Sequence, residues 1–255
     1  MKISAAIITL NEERNLPRAL NSLAGVVDEV VVVDSGSTDR TRELAERSSV
    51  RFITHAWEGY ARQKTFAAAE VANDWVLCLD ADEALSPELA EEIKRLRQAE
   101  HFAVAKVADV AGYTMPRLAR YCGQWIRHSG WYPDRKVRLY DRRRARWVGE
   151  YVHESVRADG PVAALRGDLL HYTCDTIEQH FATVDRYTTL AAQQAHAQGT
   201  QGALASMIVL PPWKFVETYC LRAGFLDGAA GLTIARMAAH YVYLKYAKLR
   251  HLQRA

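Results

Sequence analysis

Over the first hundred residues, short apolar runs alternate with polar loops and helix-period stretches. Ile3 to Leu10 is an apolar run of strand length that stops at Asn11-Glu12-Glu13, and the next segment sets Leu16, Leu20 and Leu23 on one helical face with Pro17 in its first turn. Val30-Val31-Val32-Val33 is continuously apolar, as a strand buried on both faces should be, and it ends in Asp34-Ser35-Gly36-Ser37-Thr38-Asp39. Val50-Arg51-Phe52-Ile53 predicts a third strand, followed by an alanine-rich helix from Thr65 to Val71. Trp75 to Leu79 predicts a fourth, emptying into Asp80-Ala81-Asp82-Glu83. Ser86-Pro87 then caps and starts a helix that turns Leu89, Ile93 and Leu96 inward. Strand and helix units in this order imply a parallel α/β sheet.

Beyond residue 100 the pattern changes to shorter, mixed strands with polar turns. Gly112 to Arg117 reads as a strand, and Lys136-Val137-Arg138-Leu139-Tyr140 alternates as a half-exposed strand should. Asp175 with Glu178 predicts a helix start, and Ile177, Phe181 and Val184 mark its buried stripe through about Ala197. Gln198-Gly199-Thr200-Gln201-Gly202 breaks that helix. The breaks divide the chain into residues 1–100, 101–198 and 199–255.

The tail from Pro211 includes Gly224-Phe225-Leu226-Asp227-Gly228 and a helix from about Ala229 to Leu252. Its aromatic and aliphatic residues are interleaved with Lys214, Arg222, Arg236, Lys245, Lys248 and Arg250. Such a segment suits an anionic membrane interface, and packing against the rest of the chain or a second subunit accounts for it equally.

Composition narrows the picture modestly. A chain of 255 residues with 49% hydrophobic positions can bury a sizeable core, as one large domain or one domain with an appendage. A net charge of +3 makes no demand for nucleic acid, and no RNA-recognition module or stacked-aromatic pattern is present, so nucleic acid is not an expected partner. Cys78, Cys122, Cys174 and Cys220 are scattered without metal-like spacing, which fits reduced, structural cysteines in a cytoplasmic protein. The N-terminal run is too short for a signal peptide, and no apolar segment reaches the roughly 20 residues of a spanning helix.

The candidate chemistry lies where the apolar runs end. Asp80 and Asp82, one residue apart where a buried strand breaks, offer hard oxygen ligands for Mg2+ or Mn2+, an ion that binds through one or two carboxylates plus substrate phosphates. A solvated loop that starts the next helix would use the same residues. Asp34 and the Ser-Gly-Ser-Thr-Asp loop offer acceptors to a base or ribose at the carboxyl edge of the sheet, while Thr38 or Asp39 serves as a helix cap. Arg62 or Lys64 near a helix start can meet a diphosphate. Arg135, Lys136, Arg138, Arg142, Arg143, Arg144 and Arg146 suit an anionic acceptor or membrane surface, or a charged strand edge kept from aggregating. His171 closes an apolar run and can face a metal or diphosphate, or be a hydrogen-bonded core histidine.

Taken together, Ala6-Ile7-Ile8-Thr9-Leu10-Asn11-Glu12, Val33-Asp34-Ser35-Gly36-Ser37-Thr38-Asp39, Gln63-Lys64 and Asp80-Ala81-Asp82-Glu83 resemble the inverting family 2 glycosyltransferases of the GT-A fold. The resemblance implies a Rossmann-like mixed sheet flanked by helices, with a C-terminal helical extension. It implies a nucleotide-sugar half at 1–100, an acceptor half at 101–198 and an amphipathic extension at 199–255. Thr9, Leu10, Glu12, Asp34 and Ala81 would hold the nucleotide, Lys64 the diphosphate, Asp80 the ribose or metal, and Asp82 the metal with His171. A Val-His-Glu segment and the Gly-Phe-Leu-Asp-Gly tail are similar to bacterial lipopolysaccharide-core β-1,4-glucosyltransferases, extending the match over nearly the whole chain.

That branch implies a UDP-sugar donor, UDP-glucose first, a lipid A-core acceptor, and a peripheral position on the inner face of the cytoplasmic membrane. Inverting transfer needs one base to take the acceptor's proton, and Glu154 is the first candidate, with His153 beside it and Asp134 in reserve. A transferase for another cell-surface glycan, a nucleotidyltransferase, or a non-catalytic glycan- or membrane-binding module are the alternatives.

Overall fold

The structure is a computed structural model and describes residues 1–99, 110–149 and 154–254. Its elements run β1 (Ile3–Thr9), α1 (Leu16–Leu23), β2 (Glu29–Asp34), α2 (Thr41–Arg47), β3 (Arg51–Thr54), α3 (Tyr60–Glu70), β4 (Trp75–Asp80), β5 (Glu83–Leu85) and α4 (Pro87–Ala99). They continue with β6 (Gly112–Tyr121), β7 (Gln124–Ile126), β8 (Asp134–Asp141), β9 (Ala145–Val148), β10 (Ser155–Ala158), β11 (Val162–Ala164) and β12 (Leu169–Cys174). Helices α5 (Ile177–Ala197), α6 (Ala203–Val216) and α7 (Gly228–Leu252) close the chain, with a π-helical turn at Glu217–Leu221 and a 3-10 turn at Gly224–Asp227 between the last two. The chain forms two compact units, Met1–Arg117 with Asp134–His171, and Leu118–Pro133 with Tyr172–Ala255.

In the first unit the strand order is β3-β2-β1-β4-β8-β6-β12-β5. β3, β2, β1 and β4 are parallel, whereas β8 pairs antiparallel with both β4 and β6, so the sheet is mixed as expected. From β1 the chain winds out to β2 and β3, then returns to β4 on the other side. The strand order therefore reverses between β1 and β4, where open α/β sheets bind ligands outside the carboxyl ends of the strands. Those ends are Thr9 and Asp80.

Strand parity explains the two cores. Ile3, Ala5, Ile7, Val32, Leu77 and Leu79 face one layer with Leu16, Leu23, Leu89 and Ile93 of α1 and α4. Ala6, Ile8, Val31, Val33, Val76 and Cys78 face the other, with Ala67 and Ala68 of α3 and with Trp147. A strand covered on both faces has no polar side, which is why these runs read as continuously apolar.

Several elements depart from the sequence reading. Helix α3 starts at Tyr60 instead of Thr65, because Gly59 takes φ 102° and turns the chain into the helix there. Strand β8 is not half-exposed: flanked by β4 and β6, it buries Arg138, Leu139, Tyr140 and Asp141 in succession. Much of the basic run around it is already engaged by the protein. Arg138 is buried against carboxylates, Arg142 donates to the carbonyls of Ala68, Ala69 and Val71, Arg143 pairs with Asp141 and Asp74, and Arg146 pairs with Asp159.

In the second unit, β7 folds back antiparallel on the end of β6, and the helices follow. The cap of α5 is a Thr176–Gln179 box instead of Asp175 and Glu178. Its buried stripe is Val184, Thr188, Ala192 and Ala195, while Ile177 and Phe181 lie exposed. Small side chains let α7 approach, and Lys248 of α7 fastens the pair by donating to the Asp185 carbonyl and carboxylate and to the Thr188 and Thr189 hydroxyls. The break expected at residues 198–202 separates α5 from α6, and α6 starts at Ala203 and runs through Pro211 and Pro212 to Val216.

Asp227, in the Gly-Phe-Leu-Asp-Gly segment, is buried and organises a loop. It accepts from the Arg127 and His128 backbone N–H groups at 3.2 and 3.1 Å and from the Ser129 hydroxyl at 3.0 Å, and lies 3.0 Å from His128 Nδ1. Next to it Gly231 has no room for a side chain, since a Cβ there would stand 1.8 Å from the Gly224 carbonyl oxygen. Asp227→Ala should lower unfolding free energy by about 2–3 kcal/mol, because three donors lose a buried acceptor. The check is the urea midpoint, and an unchanged midpoint would show that water replaces the carboxylate at little cost.

Candidate active site

Two loops meet at the carboxyl ends of β1 and β2, and side chains clasp them together. Asn11 accepts from the Thr38 N–H at 2.8 Å, its own N–H donates to the Ser37 hydroxyl at 2.8 Å, and the Glu12 N–H donates to Thr41 Oγ1 at 2.8 Å. This is the physical reason that the Asn-Glu-Glu and Asp-Ser-Gly-Ser-Thr-Asp motifs occur together. Asp34 is buried at the base of the clasp. Its Oδ2 accepts from the Gly36 and Ser37 N–H groups at 2.9 and 2.8 Å, and its Oδ1 accepts from the Thr9 hydroxyl at 2.9 Å and from the Ser37 hydroxyl. All four acceptor positions are filled by the protein, so a nucleotide contact from Asp34 would be shared with these donors.

Helix α3 presents two fully buried polar residues to the same edge. Gln63 donates to the Ser35 hydroxyl at 3.0 Å and lies 2.9 Å from His55 Nδ1. Lys64 Nζ stands 2.8 Å from Asp80 Oδ1 and 2.9 Å from Glu154 Oε1, and 4.8 Å from the ring centre of Trp147. Burial and the like charge of Arg138 work against the Lys64 ammonium, but the facing acids outweigh them and raise its pKa above the ordinary lysine value.

Asp80, at the end of β4, carries a second cation. Arg138 donates at 2.7 Å to Asp80 Oδ2 and at 2.7 Å to Glu83 Oε1, and Glu83 Oε2 accepts from the Asp80 N–H at 3.0 Å, closing the turn. Glu83 is therefore a buried brace for Arg138. Burial opposes ionisation of Asp80, yet Arg138 and Lys64 outweigh it and hold the carboxyl well below the usual carboxylate range. The Trp147 ring lies under both cations, with Arg138 Cζ 5.7 Å from its centre, and its Nε1–H donates to the Tyr140 hydroxyl at 2.9 Å.

Asp82 and His171 are brought together by the sheet. Antiparallel pairing of β5 with β12 sets His171 opposite Glu83, and His171 Nε2 then lies 3.2 Å from Asp82 Oδ2. Burial raises the Glu12 carboxyl above its ordinary range against a hydrogen bond from Asn15, and the negative Asp82, Asp39 and Asp80 push the same way. Leu10 is exposed beside this edge and Ala81 is buried in the turn.

These residues fit a divalent cation. Asp80 Oδ1 is buried against the Lys64 ammonium alone at 2.8 Å, and Asp82 is tied only to His171 among the described residues. Carboxylates of Glu12, Asp80, Asp82, Glu83 and Glu154 outnumber Lys64, Arg138 and Arg117, so an entering diphosphate needs added positive charge. No group of three or more His, Cys, Asp or Glu side chains forms a protein-only metal cage among the described residues. A Mg2+ or Mn2+ site completed by substrate phosphates does not require one.

Of the sequence candidates, Thr9, Glu12, Asp34, Lys64, Asp80, Asp82, Glu154 and His171 all belong to the first unit. His153 lies outside the described residues. Asp134 is engaged elsewhere: burial opposes its ionisation, but Arg117 at 2.7 Å and Lys136 at 3.0 Å lower its pKa, which makes it a weak proton acceptor. Arg62 is exposed. Sequence reasoning missed Arg138, Glu83 and Trp147 as parts of the site. A basic residue between Val137 and Leu139 in a strand was the signal available for Arg138.

The family model described as Glycosyl transferase family 2 matches residues 4–153. An uncharacterized glycosyltransferase of Rickettsia typhi is 33% identical over 260 residues, covering 98% of this chain and 87% of the relative. The lipopolysaccharide core biosynthesis glycosyltransferase LpsC of Rhizobium meliloti is 30% identical over 261 residues, covering 97% and 94%. Among solved structures, S. aureus TarS in complex with UDP aligns over 100% of this chain and 92% of its own, with a TM-score of 0.45 and 16% identity.

Proposed function

Because the chain belongs to glycosyl transferase family 2, with its GT-A fold, we propose that this glycosyltransferase moves glucose from UDP-glucose onto an inner-core heptose of lipopolysaccharide, at the cytoplasmic face of the membrane. The observation that carries the chemistry is the Lys64 ammonium held between Asp80 and Glu154. The acceptor assignment draws on the similarity to LpsC over nearly the full length of both chains.

The acceptor hydroxyl oxygen attacks the anomeric carbon while the bond from that carbon to the diphosphate oxygen breaks, the bonding pair leaving with the phosphate. Glu154 takes the hydroxyl proton, and attack from the face opposite the diphosphate inverts the configuration. Lys64 faces the charge that grows on the diphosphate, and Arg138 keeps Asp80 ionised and fixed. Thr9, Leu10, Glu12, Asp34 and Ala81 hold the nucleotide at the β1 and β4 edge. Held by Asp82, His171 and Asp80, a Mg2+ or Mn2+ ion would supply Lewis-acid stabilisation of the leaving group.

The test is calorimetry with UDP-glucose, UDP-galactose, UDP-N-acetylglucosamine and GDP-mannose, with Mg2+ or Mn2+ and then with EDTA. Tight binding of UDP-glucose that EDTA abolishes is expected, and another UDP-sugar in its place would reassign the donor. If none binds with metal present, the nucleotide reading is wrong. Glu154→Gln should lower kcat by about 100-fold and leave donor affinity within a few-fold, the pattern of a lost proton acceptor. Equal loss in donor affinity would make Glu154 a binding residue.

A further inference from the structure

Helix α6 is the least covered of the long helices relative to its composition. Its eleven residues from Ala203 to Trp213 include no charge, yet Ala203 is the one residue that α6 buries. Ile208 and Val209 are each 63% exposed and Trp213 is 56% exposed, and Leu204, Val216, Leu221, Phe225 and Leu226 continue the apolar surface. A helix this apolar is ordinarily buried, and a contiguous exposed patch of this kind marks an interaction surface. Among the described residues no helix is long and apolar enough to cross a membrane.

Beside the patch is a groove of about 470 Å3 lined by Pro211, Pro212, Phe215, Leu232, Arg236 and Ala239. Arg236 is exposed in it, with no ion-pair or hydrogen-bond partner among the described residues. Residues 199–255 hold seven lysines and arginines against Glu217 and Asp227, an excess of five, although the whole chain carries only +3. Asp227 is buried and Glu217 is already paired with Lys214 and Arg222. Two such tails brought face to face would repel, with no free acid to relieve them. An apolar face with the unpaired Arg236 beside it, on a tail of net positive charge, instead matches an anionic bilayer.

We propose that α6 and the turn after it dock on an anionic lipid bilayer, the apolar side chains entering the interface while Arg236 meets a lipid phosphate. The helix lies on the surface and does not span it. The apolar side chains occupy two adjacent stripes, Leu204–Ile208 and Val209–Trp213–Val216, a breadth suited to a medium more than to a fitted groove. The surface stands apart from the donor assignment; its use in meeting a lipid-linked acceptor rests on the proposed function.

The experiment is cosedimentation of the full chain, without nucleotide or metal, with phosphatidylcholine vesicles and with mixed phosphatidylcholine and phosphatidylglycerol vesicles. Binding to the mixed vesicles that weakens with salt is expected. Ile208→Glu with Trp213→Glu should reduce partitioning by roughly tenfold or more, and Arg236→Gln should reduce it by about fivefold on the anionic vesicles. All three positions are exposed, so unchanged melting temperatures should accompany the losses. No binding by the unaltered protein, or undiminished binding by the double variant, overturns the proposal. So does a dimer in sedimentation velocity that the double variant dissolves, which would give this face to a second copy. Because nucleotide is absent, failure here leaves the donor-binding test untouched, and failure there leaves this one standing.

Discussion

Arg138→Met should lower the free energy of unfolding by about 3–5 kcal/mol at neutral pH, the range for removing one partner from a buried ion pair. Arg138 is 4% exposed and donates to Asp80 and Glu83, so its removal leaves Asp80 with Lys64 alone and the buried Glu83 with only the longer 3.5 Å approach of Arg117. Methionine fills much of the volume, so the loss reports charge more than cavity. The sign with pH follows from the direction of the Asp80 shift. Its carboxyl is held low in the folded protein, so its contribution is complete above the unfolded value of about 3.9 and fades as pH falls through that value toward the folded one. In the variant the part of that contribution that Arg138 supplies is already missing, so the variant loses less as the Asp80 carboxyl protonates. The two stability curves should therefore converge as pH is lowered. Urea midpoints of both proteins from neutral pH to about pH 2.5, through and below the unfolded carboxylate value, measure this, and a gap that stays constant or widens in acid would mean that Arg138 acts through packing.

Asp82→Ala should reduce kcat/KM by about 1000-fold or more, a barrier increase of about 4 kcal/mol, while the urea midpoint barely moves. The contrast with Arg138 comes from what each residue touches. Asp82 is partly exposed and tied only to His171 among the described residues, so little of the fold depends on it. A stability change within about 0.5 kcal/mol is therefore expected. Manganese-dependent donor binding in calorimetry should disappear with the activity. Turnover at the unaltered level in Asp82→Ala would remove the metal assignment and revive a reading of this turn as a solvated loop.

What the sequence made legible was the end of each strand. Continuous apolar runs that stop abruptly in Asn11, Asp34 and Asp80 carry their own meaning, because only a strand covered on both faces can afford no polar side and must end at a polar edge. Arg138 was hidden for the opposite reason. Six neighbouring basic residues made it look solvated, and its burial depends on β8 lying between β4 and β6, a pairing set far away in the chain. The stripe of α5 failed similarly. Spacing identified Ile177, Phe181 and Val184 as one face, but which face is covered was decided by the small Thr188, Ala192 and Ala195, against which α7 could close. Pro211 and Pro212 read as punctuation, yet α6 packs along α7 and runs through them.

Lys64 answers to Asp80 on one side and to Glu154, 90 positions away in the chain, on the other. The two acids are thus coupled through a single buried ammonium. A substitution at position 64 alters both partners at once, and a substitution at either partner changes what the ammonium offers the other.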